Sequence, residues 1–184
     1  MIWIFGVALI FFWAVGAYNR LVRLRAATAQ QFSVVDAQFV RLWAWVQGSL
    51  PASVRDEEVT AEKEQTTLNE VWAACENFAE SLAQVRANPQ ASLPIQRVNL
   101  ARVQLFKLLR QEKDFYLADE SCWFSEPLQK KFERLKTQAW PMIVAYNQAV
   151  QTYNEAISEW PARWVAQKFG FETAAKLDSA DPLA

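Results

Sequence analysis

The chain has 184 residues, 52% of them hydrophobic, and a formal net charge of −1. That hydrophobic share can bury a core and excludes a disordered chain, while the near-zero charge excludes a strongly basic nucleic-acid binder. The histidine count is zero, which removes the imidazole general base, the Ser-His-Asp and Cys-His nucleophile systems and the commonest metal ligand.

Cys75 and Cys122 are isolated, with no Cys-x-x-Cys spacing, so they read as free thiols rather than as a zinc or redox motif. The carboxylates at Asp119-Glu120 and over residues 56–64 sit in a loop and a solvated helix start. No enzyme, cofactor or metal is expected from this inventory.

Residues 2–17, IWIFGVALIFFWAVGA, carry no charge. Extended to Tyr18, such a run spans roughly 27 Å as a helix, close to the thickness of a bilayer's hydrocarbon. Trp3 and Trp13 lie towards its ends, where aromatic rings favour the interface. No Lys or Arg precedes the run, which argues against a cleaved signal peptide at Val15-Gly16-Ala17. Arg20, Arg23 and Arg25 follow at once, and the positive-inside rule then places the N-terminus outside and the remainder in the cytoplasm. Residues 1–18 therefore read as a single-pass transmembrane anchor, with the lipid bilayer as partner.

After Tyr18 the pattern is helical. Thr28, Phe32, Val35, Phe39, Leu42 and Val46 form one seam, ended by the loop at Pro51. A second helix is predicted over residues 56–87, with Leu68, Val71, Trp72, Cys75, Phe78, Leu82 and Val85 as its stripe and Asn88-Pro89 as its stop. A third opens at Ser92-Leu93-Pro94 and carries Ile95, Val98, Ala101, Leu105, Leu108 and Phe115. A fourth follows Ser125 and runs to Pro161 through Leu128, Phe132, Leu135, Ala139, Met142, Tyr146, Ala149, Tyr153, Ala156 and Trp160, with Pro141 inside it. No segment has strand period. The fold predicted is all-α, a transmembrane helix continuing into an up-down-up-down four-helix bundle over residues 19–161. Residues 162–184 read as an amphipathic segment and a flexible C-terminal tail. The amphipathic part suits either the headgroup region or a cap on the bundle's lower end.

Two stretches carry a resemblance. Tyr18-Asn19-Arg20-Leu21-Val22-Arg23-Leu24-Arg25, continuing to Asp36, resembles the YNxLVxLR and ID-x-Q-L segments of the LemA family of bacterial membrane proteins. Tyr146-Asn147 and Tyr153-Asn154, then Trp160-Pro161 and Gly170-Phe171, are similar to that family's YNxxVxxYNxxIxxFP…GF signature. Trp160 replaces the family's Phe, and Leu177-Asp178 stands where Phe-Glu is usual, so the chain resembles a divergent member. The resemblance implies an N-terminal anchor in the bacterial inner membrane and an antiparallel helical bundle. It supplies no activity.

Asn147 and Asn154 lie one position off the seam, on one helix edge. They read either as a register-fixing polar pair or as ligand contacts. If the first and fourth helices run side by side, equal heights put Arg25 beside Tyr153 and Asn154, and a hydrogen-bonded pair is expected there; Asp36 falls near Met142. Trp43, Trp45, Trp123 and Trp164 lie off any clean stripe and are candidate interface residues for a protein partner. The function expected is that of a membrane-anchored interaction or scaffold protein, with a receptor for a peptide or small ligand in an interhelical groove as the alternative.

Overall fold

The computed structural model describes residues 2–51, 62–89, 91–118 and 123–178. It contains five described helices: α1 (Ile2–Ser49), α2 (Glu62–Ala87), α3 (Ser92–Ala118), α4 (Glu126–Ser158) and α5 (Ala162–Lys168). Among the described residues there is no strand. Backbones approach closely between α1 and α4, α2 and α3, α1 and α2, and α5 with both α1 and α4.

The boundaries follow local chemistry. Pro51 follows the end of α1, and Asn88-Pro89 ends α2 with the Asn88 N–H donating back to the Gln84 carbonyl at 3.1 Å. Pro94 falls in the first turn of α3 and Pro127 in that of α4, where no intrahelical donor is lost. Pro141 lies inside α4, which stays helical across it. The start predicted for α2, residues 56–61, lies outside the described residues, as do Cys122, Asp119-Glu120 and the side chain of Phe115.

The stripes predicted for the first two helices are nearly all buried: Phe32, Val35, Phe39, Leu42 and Val46 on α1, and Leu68, Val71, Cys75, Phe78, Leu82 and Val85 on α2. Trp72 is only half-buried. On α4 the buried set includes Ile143, Val150 and Ile157, each one position on from a seam residue, whereas Met142 and Ala149 are half-buried. A core-facing stripe is wider than a two-position seam, so a four-three count undersamples it. Phe39 and Phe78 meet edge to face with centroids 5.5 Å apart, and Phe132 gathers Phe106 and Phe124 in the same geometry. Cys75 is a free thiol in this core, its pKa pushed up to about 12 by burial and then by Glu76, which leaves it protonated and inert at neutral pH.

The anchor is corrected. Among the described residues no helix is long and apolar enough to cross a membrane. The apolar run does continue as part of α1, but Ala14, Ala17 and Leu21 are taken into a second cluster with Tyr153, Ala156, Ile157, Val165 and Ala166. These three positions pack against protein and are not free for lipid. Arg20, Arg23 and Arg25 close the run on its other side. The single-pass placement in the bacterial inner membrane, N-terminus outside and bundle in the cytoplasm, falls with it.

The packing makes a direct prediction. Phe78→Ala removes a fully buried ring and should cost about 3–5 kcal/mol, whereas Leu100→Ala, at an exposed position, should cost little. Thermal melting followed by circular dichroism reads both; equal effects would mean that the α1–α2 core is not packed as described.

Candidate functional site

The polar residues of the Tyr-Asn motif on α4 face neither solvent nor Arg25. They face residues 171–178, an extended strap that returns along the helix after α5. Gly170 makes the turn with φ 68°, a left-handed conformation that glycine adopts without strain. The strap, expected within a flexible tail, is instead seated by side chains. Its path is set by one geometric match. Asn147 and Asn154 are seven residues apart, two helical turns, or about 10.5 Å. Their partners Leu177 and Ala174 are three residues apart in extended chain, or about 10 Å. The strap therefore runs antiparallel to α4 with one residue triplet per heptad.

At each Asn the contact is double. The Asn154 Nδ2 donates to the Ala174 carbonyl and its Oδ1 accepts from the Ala174 N–H, both at 2.9 Å. Asn147 repeats this on Leu177, at 2.6 and 2.8 Å. A carboxamide carries a donor and an acceptor side by side, so it pairs with one residue's backbone much as a neighbouring strand would. The tyrosines keep the same step: Tyr146 donates its hydroxyl to the Ala175 carbonyl and Tyr153 to that of Glu172, each at 2.9 Å.

The far wall is α3. Asn99 donates to the Lys176 carbonyl at 3.2 Å and accepts from the Asp178 N–H at 3.1 Å, and Arg102 donates to the Asp178 carbonyl. The Arg102 guanidinium also lies over the Phe39 ring. The strap thus fills the space between α3 and α4, which do not approach closely along their backbones. Leu177 is only 1% exposed and joins the main core, with Ala174 and Ala175 packed beside it.

At the other end of the strap, Phe171 meets Tyr18 edge to face, and Phe169 packs on the same ring. The Arg25 guanidinium sits 5.7 Å from the centroid of Phe171. Arg25 does lie at the height of Tyr153, whose pKa is raised by burial while the nearby Arg25 charge pulls it down. The pairing expected between Arg25 and Tyr153 or Asn154 is absent, because the strap takes both of those side chains. Asp36 pairs with Arg86 of α2 through two 2.8 Å hydrogen bonds. Asn19 is exposed.

α5 covers the bundle's lower end with Ala162, Val165 and Ala166, and turns Trp164 outward at 72% exposure. Of the four tryptophans singled out, only this one is open. Trp43 and Trp45 pack on the main core, Trp45 stacked near Phe132, and Trp123 donates its Nε1–H to Glu112 at 2.6 Å. Trp160, placed on the α4 stripe by its spacing, is 80% exposed, and with Trp13, Arg20 and Pro161 it lines a hollow of about 310 Å³. The residues that sequence reasoning passed over are Asn99 and Arg102. The signal was present: Asn99 stands one position past the stripe residue Val98, as Asn147 stands past Tyr146.

No family model, no curated protein and no solved structure matches this chain. Among the described residues no three His, Cys, Asp or Glu side chains converge as a metal site would require. What the seam does hold is a row of neutral amides and hydroxyls arranged for a peptide backbone.

One titration follows. Burial pushes the Tyr146 phenol up to about 12. A folded-state pKa above the unfolded value of about 10 stabilises the fold fully below pH 10, and that contribution is lost as pH rises through about 12. Alkaline unfolding should therefore set in across this window, and Tyr146→Phe should flatten it, since a phenyl ring cannot ionise. An unchanged alkaline profile for that variant would place Tyr146 outside the seam.

Proposed function

We propose that this chain is a LemA-like interaction or scaffold protein, its four long helices an up-down-up-down bundle whose α5 end docks a protein partner. The observation that carries the reading is the group of uncovered aromatic rings at that end. Trp160 is 80%, Trp164 72% and Phe169 60% exposed, with Trp13 beside them. Several large apolar side chains exposed together on one end, interspersed with Arg20, Arg163 and Lys168, fit a docking surface better than a solvated face. Tryptophan is the residue most enriched where binding energy concentrates. The rings are also rigidly based: Val165 and Ala166 of α5 lock into Leu21 and Ile157, so little entropy is lost on docking.

The test is crosslinking in living cells from position 164. A photoreactive benzoylphenylalanine in place of Trp164 should give a discrete protein adduct. Adding Trp160→Asp and Phe169→Asp should abolish it while leaving the helical circular dichroism unchanged. An absence of any discrete adduct, or adducts to lipid alone, would contradict the reading.

A further inference from the structure

We propose that the groove between α3 and α4 is a binding site for an extended peptide of the pattern small-small-x-Leu, with the chain's own residues 171–178 as its built-in competitor. This inference stands on the strap and not on the aromatic end, and either can fail without the other.

Three observations carry it. First, nearly every polar contact between groove and strap goes to the strap's backbone: Asn154 to Ala174, Asn147 to Leu177, Asn99 to Lys176 and Asp178, and the two tyrosines to Glu172 and Ala175. Backbone recognition of this kind accepts many sequences, as it does when a peptide is added to a sheet edge. Among the described residues, Lys176 offers a side-chain hydrogen bond, to Gln151. Second, selectivity comes from shape. Leu177 enters the core, and the small side chains of Ala174 and Ala175 pack against it, half-buried. Third, the strap's one backbone bond to a helix among the described residues is at its root, where the Phe171 N–H caps the Ala166 carbonyl of α5 at 2.9 Å, so departure of residues 172–178 leaves the backbone hydrogen bonds of α1 to α5 in place. Its release would uncover a groove already lined with matched donors and acceptors.

A segment tethered by α5 is present at an effective concentration of order millimolar, so an outside peptide competes poorly until the strap is weakened. The probe is a fluorescein-labelled peptide of sequence GFETAAKLD, identical to residues 170–178. It is titrated by fluorescence anisotropy against the full chain and against two full-length variants, Leu177→Asp and Ala174→Glu, which loosen the strap at different points. Binding to either variant at least about tenfold tighter than to the unmodified chain supports the site. That gain must vanish when Asn147→Leu and Asn154→Leu are added, and when the peptide's own leucine is replaced by aspartate. No binding to either variant, with helical circular dichroism retained, overturns the proposal. So does binding that survives loss of both asparagines.

Should both variants lose helicity, a photoleucine peptide at millimolar concentration is crosslinked to the unmodified chain. Adducts on α3 near Asn99 or on α4 near Asn147 support the site, and adducts elsewhere overturn it. A dimer of the unmodified chain that the peptide dissociates would make the strap of a second copy the natural occupant of the same groove.

Discussion

The pairing of an asparagine carboxamide with one residue of extended backbone is the interaction on which the rest of the site depends. Leu177 can be buried only if its own N–H and C=O find partners, because an unmatched buried polar group costs about 1–3 kcal/mol. Asn147 supplies both at once. Asn154 does the same for Ala174, and the spacing between the two is dictated by the helix. Two turns of α-helix and three residues of extended chain have nearly equal rise. A repeated Tyr-Asn at heptad spacing is therefore a ruler for an antiparallel strand, with each tyrosine hydroxyl adding one carbonyl contact to the step. Leucine at positions 147 and 154 would leave four backbone groups of the strap unpaired.

The consequences reach both ends of the bundle. Where α3 and α4 stand apart, the strap fills the gap and Leu177 completes the core. At the lower end, seating Phe171 against Tyr18 and under Arg25 fixes the direction in which the chain leaves α5. α5 in turn closes over Leu21, Ala17 and Ala14. That same closure packs the last apolar residues of the N-terminal run against protein. The aromatic rings left outside, Trp160, Trp164 and Phe169, lie on the outer face of the cap so formed.

Most of the helical framework was legible because its cause is periodic. Apolar residues at helical spacing, Pro at first turns and stops at Pro51 and Asn88-Pro89 each leave a local mark, and α3 begins at Ser92 as its Ser-Leu-Pro predicts. The α4 register was readable only in part. Ile143, Val150 and Ile157 are buried beside the seam that spacing alone selects, and Trp160 leaves the stripe because α4 ends at Ser158. The tryptophans show the limit of stripe arguments in the other direction: Trp43, Trp45 and Trp123 look unplaced in sequence, yet all three pack on the core from its edge. The strap was not legible at all as an element. Its backbone is held by side chains from two helices remote in sequence, so no pattern within residues 171–178 announces it. The Tyr-Asn repeat did mark the right helix edge, and Arg25 was set at the right height, but their partner was a segment read as tail.

Amide hydrogen exchange along the strap tests the central claim most directly. The ladder ties the N–H groups of Ala174, Leu177 and Asp178 to Asn154, Asn147 and Asn99, while among the described residues the N–H groups of Ala175 and Lys176 have no such tie. Exchange in the native chain should therefore alternate, slow at positions 174, 177 and 178 and fast at 175 and 176. Asn154→Ala should release Ala174 and spare most of the protection at Leu177. Uniformly fast exchange across residues 171–178, with the helices still protected, would contradict the account.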